Sequence, residues 1–279
     1  MTTKPIVAGI DGSAEALRAV EWAAREAALR GAPLRIVSVA EMLPRMTPRQ
    51  ATDIETVATH LSEERDQALA AAASTAAATA PDLLIATDPL DGPPAQAVTG
   101  SGSGALMLVV GSKGSSAFAA MILGSVSRYA AVHASCPVVV VREEATGTHR
   151  LVAVGIRNPQ DCAAALTFAF EEAQLRKAAL LAVHAEQSPG WHAADEQAAG
   201  GLDDLLDDWR GRYPDVDASG DVVHGHPGRV LTDLSARADL VVLGRHGTSG
   251  GHAPGPARVI HAVLGHAHSP VVTVPQDNA

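Results

Sequence analysis

Short apolar runs and longer amphipathic stretches take turns along this chain. Residues 4–10 (KPIVAGI) are apolar enough to be buried on both faces of a sheet, which predicts a strand with parallel neighbours. Ser13 then offers an N-cap to a helix over 14–29, where Leu17, Val20, Ala24 and Leu29 recur near helical spacing and Gly31 closes the element. LRIVSVA at 34–40 predicts a second strand, and Pro44 and Pro48 mark a loop. A long helix follows over 53–80, its AAAASTAAATA segment rich in the best helix former. DLLIAT at 82–87 is placed as the third strand, before a turn at Asp91-Gly92-Pro93-Pro94 and a short helix that fades into GSGSG. Residues 105–111 predict a fourth strand, Ser125–His133 a helix beyond a loop, and PVVVVR at 137–142 a fifth strand.

The pattern then restarts after a short polar linker. LVAVGI at Leu151–Ile156 matches PIVAGI, DLVVLGRHG at 239–247 matches LMLVVGSKG at 106–114, and GDVVHGHPGRVLTDL matches the region of ATDPLDGPPAQAV. Gly111 and Gly244 are 133 residues apart, as are Pro137 and Pro270, whereas Gly9 and Gly155 are 146 apart. The first copy therefore carries thirteen extra residues, placed in the loop and long helix after its second strand. So long a period suits a duplicated domain and no solenoid unit. The expected fold is α/β: two tandem doubly wound domains, 1–145 and 149–276, each with a five-stranded parallel sheet.

Composition narrows the function classes. Hydrophobic residues reach 47%, which excludes a disordered chain, while aromatics are only 3%, which argues against a base-stacking surface. The net charge of −10, with no basic run, speaks against capture of nucleic acid or anionic lipid. No apolar run approaches a membrane span and no signal pattern opens the chain, so a cytoplasmic protein is expected. Cys136 and Cys162 read as buried small hydrophobes, with a bridge between the domains as the alternative.

The candidate chemistry lies at 108–127, LVVGSKGSSAFAAMILGSVS. A strand ends at Gly111, Gly114 follows, and Gly124-Ser125 opens a helix whose bare N–H groups and dipole favour an anion. Ligands of doubly wound sheets sit beyond the carboxyl ends of the strands, and both Asp11 and this loop fall there. The Walker signature is absent, and GSGSG follows a helix, where a dinucleotide fingerprint follows the first strand.

GSKG, nine residues and then GS reproduce the G-x2-G-x9-G-(S/T) motif of the universal stress proteins. VAGIDGS, SCPVVVV, DDWRGRYPDV and ADLVVLGRHG are similar to the same family, in its tandem, actinobacterial type. The resemblance implies a Rossmann-like domain, related to the adenine nucleotide alpha hydrolases, that binds ATP with magnesium as an option. By position, Gly9, Ile10 and Asp11 would border adenine and ribose, with Val39 against the base. Gly111 and Gly114 would approach ribose and the first phosphates, and Gly124, Ser125, Val126 and Ser127 would hold the β- and γ-phosphates. It also implies pairing through the terminal strands, hence a homodimer.

The second copy departs from the motif. Arg157 stands where the first has Asp11, and Ala257-Arg258 where it has Gly124-Ser125, so the nucleotide is expected mainly in the first domain. Nine of the twelve histidines follow residue 150, and His224/His226 and His266/His268 read as turn and helix-end residues rather than metal ligands. The acidic run Asp203, Asp204, Asp207, Asp208 reads as a solvated helix face. No catalytic constellation is recognisable, so at most slow ATP hydrolysis is expected, with no catalytic residue and no protein metal site. The leading reading is an ATP-binding regulatory protein of stress adaptation. A slow ATPase or other nucleotide-using enzyme, and a nucleotide-free dimerisation module, are the alternatives.

Overall fold

The computed structural model describes residues 3–40, 51–113, 123–142, 148–158, 161–186, 193–245 and 255–276. The chain divides into two compact units, Met1–Val141 and Arg142–Ala279. In the first, β1 (Ile6–Ile10), β2 (Leu34–Val39), β3 (Ile85–Leu90), β4 (Met107–Gly111) and β5 (Val138–Val141) form parallel pairs in the order β3-β2-β1-β4-β5. Each connection carries a helix: α1 (Ala14–Arg30), α2 (Ala51–Thr79), α3 (Pro94–Ser101) and α4 (Ser125–His133). β1, β4 and β5 are buried along their whole length, as their unbroken apolar runs require.

Small residues let these layers close. α1 buries Ala16, Ala19, Val20, Ala23, Ala24 and Ala27 and ends at Gly31, whose φ of 58° is the left-handed closing conformation. A methyl group at Gly111 would lie 3.0 Å from the carbonyl carbon and oxygen of Glu15, so the first turn of α1 sits directly on β4. One at Gly9 would meet Val98 of α3. Gly9 pairs with Val110, so Gly9 and Gly111 face opposite sides of the sheet, and α3 and α1 cover opposite faces. Glu26 is buried in α1 and bound by Arg30 at 2.6 Å.

The third strand differs from expectation. It runs over Ile85–Leu90 rather than 82–87. Leu83 and Leu84 suggested a strand, yet Leu84 is 75% exposed and precedes the ladder. β3 is the sheet edge and largely solvated, so hydrophobicity does not mark its limits, and an edge strand also tolerates Pro89.

The second unit repeats the plan with β6 (Leu151–Ile156), β7 (Ala179–Glu186), β8 (Ala218–His224), β9 (Leu240–Arg245) and β10 (Val271–Pro275), in the order β8-β7-β6-β9-β10 and again parallel. Its helices are α5 (Ala163–Arg176), α6 (Ala193–Arg212), α7 (Pro227–Ser235) and α8 (Gly255–His266). Glu172 of α5 is fully buried and paired with Arg176, the arrangement of Glu26 and Arg30 again. The acidic run lies on α6, where Arg210 binds Asp207 at 2.8 Å and Asp203 at 2.9 Å, and these bonds hold its guanidinium pKa above the ordinary value. Cys136 and Cys162 are both buried, and neither is part of a disulfide bridge.

Candidate functional site

The first unit assembles its candidate site from two adjacent strand ends. β1 pairs with β2 on one side and β4 on the other, so the chain leaves β1 at the switch point of a doubly wound sheet. Asp11 follows β1 immediately and is exposed. Its Oδ1 accepts from the Ser13 N–H at 3.1 Å and from the Ser13 hydroxyl at 2.7 Å. Ser13 in turn caps α1, accepting from the Ala16 N–H at 3.2 Å. Gly12, between them, has φ +80°, a conformation that side chains disfavour. The carboxylate is thus held by the turn that starts the helix.

Strand ends are fixed by buried serines. The Ser38 hydroxyl donates to the Ile10 carbonyl at 3.1 Å, tying β2 to β1 just before Asp11. Val39 closes β2 beside it, half-buried. Across the switch point, the Ser112 N–H donates to Val141 O at 2.9 Å and the Gly124 N–H donates to Ser112 O at 2.9 Å. The Ser127 hydroxyl donates to Gly111 O at 2.6 Å. These bonds seat the start of α4 against the end of β4. Gly124 is its N-cap and provides no side-chain cap, so the first-turn N–H groups of Ser125, Val126 and Ser127 have no acceptor within the helix.

The structure therefore brings Gly9, Ile10, Asp11 and Val39 together with Gly111, Gly124, Ser125, Val126 and Ser127 around one pair of strand ends. Gly114 lies outside the described residues. Ser127 contributes to the surface only through its backbone, since its hydroxyl is turned inward and buried. Sequence reading missed Ser38; the signal available was a serine interrupting an otherwise apolar run.

The second unit keeps the strand junction and changes its surface. His184 occupies the register position of Ser38, and its Nδ1 lies 2.9 Å from Ile156 O. A carbonyl only accepts, so Nδ1 carries the proton there. Arg157, exposed, follows β6 where Asp11 follows β1. Beyond it, Asn158 Nδ2 donates to Asp161 Oδ2 at 3.1 Å and Gln276 Nε2 donates to Asp161 O at 2.6 Å. α8 starts at Gly255 and presents Arg258, exposed, in its first turn. His226 is the N-cap of α7, its Nδ1 accepting from the Gly228 N–H at 3.2 Å. His266 lies in the last turn of α8. Among the described residues, no cluster of three His, Cys, Asp or Glu side chains could hold a metal ion.

The family model of the universal stress proteins matches residues 2–142 and again residues 149–275. The chain belongs to the universal stress protein family. Relatives of the same layout support the assignment over its whole length. Universal stress protein Rv2005c of Mycobacterium tuberculosis is 34% identical over 97% of this chain and 97% of its own. Universal stress protein Rv1996 of the same organism is 31% identical over 100% of this chain and 98% of its own. The crystal structure of a universal stress protein from Archaeoglobus fulgidus superimposes with a TM-score of 0.76 at 16% identity, covering 99% of this chain and 97% of that one, which shows the shared fold. In this universal stress protein the family's two copies have the same strand order around differently charged strand ends.

Proposed function

We propose that this universal stress protein binds an adenine nucleotide, ATP, chiefly in its first unit, and acts as a regulatory protein of stress adaptation rather than as an enzyme. One observation carries the reading: the uncapped first turn of α4 stands at the β1–β4 switch point, beside a glycine that leaves no side chain at the strand end. Unpaired N–H groups and the helix dipole there favour phosphate oxygens. Asp11, fixed by Ser13, is placed for the ribose or for a magnesium ion that takes its remaining ligands from phosphate and water. The motif's Gly114 and the family membership point the same way.

At the second unit's corresponding strand end, Arg157 replaces Asp11 and α8 lacks the Gly-Ser start, so occupancy is expected near one nucleotide per chain. Electrostatic placement of phosphate is only part of phosphoryl transfer, which also needs an oriented water and charge stabilisation. At most slow hydrolysis follows. Homodimerisation and a cytoplasmic location belong to the same reading. No helix among the described residues is long and apolar enough to cross a membrane.

The test is to denature freshly purified protein, identify the released nucleotide and count it against chains. About one adenine nucleotide per chain is expected. Gly124→Glu, which sets a carboxylate at the helix start, should remove it, at a loss of at least about 1.4 kcal/mol or tenfold in affinity. Two equivalent sites per chain, or retention of nucleotide by Gly124→Glu, overturns the assignment to the first unit. Rapid single-turnover hydrolysis would sink the non-enzymatic reading.

A further inference from the structure

A groove of about 360 Å3 runs along the second unit between β7, β8 and α7. Its floor is aliphatic, made by Leu181, Val183, Val223, Val230 and Leu234. Arg157, Gly244 and Arg258 do not line it, so it is distinct from the strand ends that correspond to the nucleotide site. The volume falls in the range of small-molecule sites.

Comparison of the two copies explains why the groove is open. In the first unit Arg35 of β2 forms an ion pair with Asp88 of β3 across the sheet. Gly9 pairs with Val37 and Val37 with Asp88; Gly155 pairs with Val183 and Val183 with Asp221. Asp221 therefore holds the place of Asp88, and Leu181 that of Arg35. The carboxylate has been kept and its cation exchanged for a hydrocarbon. Asp221 makes no ion pair among the described residues.

A second charge faces the same floor. Arg229 and Asp233 of α7 lie 3.9 Å apart and are strongly exposed, a weak pair that largely cancels itself. Arg237, a turn beyond Asp233, lines the groove and makes no ion pair among the described residues. No contact within 4.0 Å joins Asp221 and Arg237. An aliphatic anion would satisfy Arg237 and leave Asp221 beside hydrocarbon; an aliphatic cation would do the reverse. A ligand that carries both signs can meet both charges, since Asp221 and Arg237 line the same groove.

We propose that this groove binds a small zwitterion with a branched aliphatic body, of the class of the apolar α-amino acids. Its ammonium rests on Asp221, its carboxylate on Arg237, and its hydrocarbon on the five aliphatic side chains. The site is independent of the nucleotide in the first unit.

Isothermal titration calorimetry of the full chain with L-leucine as probe tests it. The expected result is saturable binding at one site per chain with Kd of about 1 mM or tighter. 3-Methylbutylamine and 4-methylpentanoate keep the body and one charge each, and should bind at least about tenfold more weakly. Asp221→Asn, at an exposed position, should weaken L-leucine by a similar factor. Leu181→Arg, which rebuilds the ion pair of the first unit, should abolish binding. Gly124→Glu should leave it unchanged, which separates this result from failure of the nucleotide reading. No saturable binding by about 10 mM overturns the proposal. Equal affinity for either analogue, or wild-type binding by Asp221→Asn or by Leu181→Arg, overturns it as well.

Discussion

Gly111 and Gly244 hold corresponding places in the two copies and differ in what surrounds them. A methyl at Gly111 would meet the backbone of Glu15 at 3.0 Å, and backbone gives way only by moving α1. At Gly244 the nearest atom would be the Ala165 Cβ at 3.5 Å, an ordinary contact. Gly111→Ala should therefore destabilise the first unit by about 1–3 kcal/mol, whereas Gly244→Ala should cost less than about 0.5 kcal/mol, as read from urea unfolding. A glycine that sequence reading assigned to ligand approach has a packing duty of its own. Single residues also set chemical reactivity. Burial pushes the Cys162 thiol up to about 11, so at pH 8 it should resist iodoacetamide in the native chain and react once the chain is unfolded. Because the folded state favours the neutral thiol, its contribution to stability is complete below pH 9.0 and fades as pH rises toward about 11.

Among elements, legibility followed burial. The fully buried strands β1, β4 and β5 were readable from apolar runs, and α1 from its cap and its closing glycine, although the face it buries is mostly alanine and Leu29, read as part of the apolar stripe, is 52% exposed. The edge strand β3 was misplaced because neither of its faces is fully covered, which erases the contrast that a pattern needs. Inward serines such as Ser127 were also illegible, since a hydroxyl beside a phosphate motif reads as a donor to ligand until its partner, Gly111 O, is known. The helix ends differ between the copies. α1 closes on Gly31, but α5 closes on Lys177, a non-glycine residue with φ 51°. Lys177 is exposed, and Lys177→Gly should stabilise the second unit by about 0.5–1 kcal/mol, measured as a rise in its unfolding midpoint.

For the whole molecule, the duplication is the main source of inference, because each unit serves as a control for the other. The switch-point surface changes from Asp11 with Gly124-Ser125 to Arg157 with Ala257-Arg258, while the five-stranded order stays the same. Saturating nucleotide should consequently raise the thermal midpoint of the first unit's unfolding and leave that of the second unchanged; about 2.7 kcal/mol is expected at a hundredfold excess over Kd. Scanning calorimetry with and without ATP measures this, and equal shifts of both transitions would contradict it.

Ser38 and His184 show what such a duplication can and cannot alter. The Ile10 and Ile156 carbonyls are each held by a side chain from the neighbouring strand, a hydroxyl in one copy and an imidazole in the other. Leaving a buried carbonyl without a donor costs about 1–3 kcal/mol, whatever the copy binds. Drift after duplication could thus exchange the chemical identity of the donor while the obligation to donate was inherited. The two copies then mark where descent was free and where it was constrained: charge at the strand ends was negotiable, and the satisfied carbonyl one residue earlier was not.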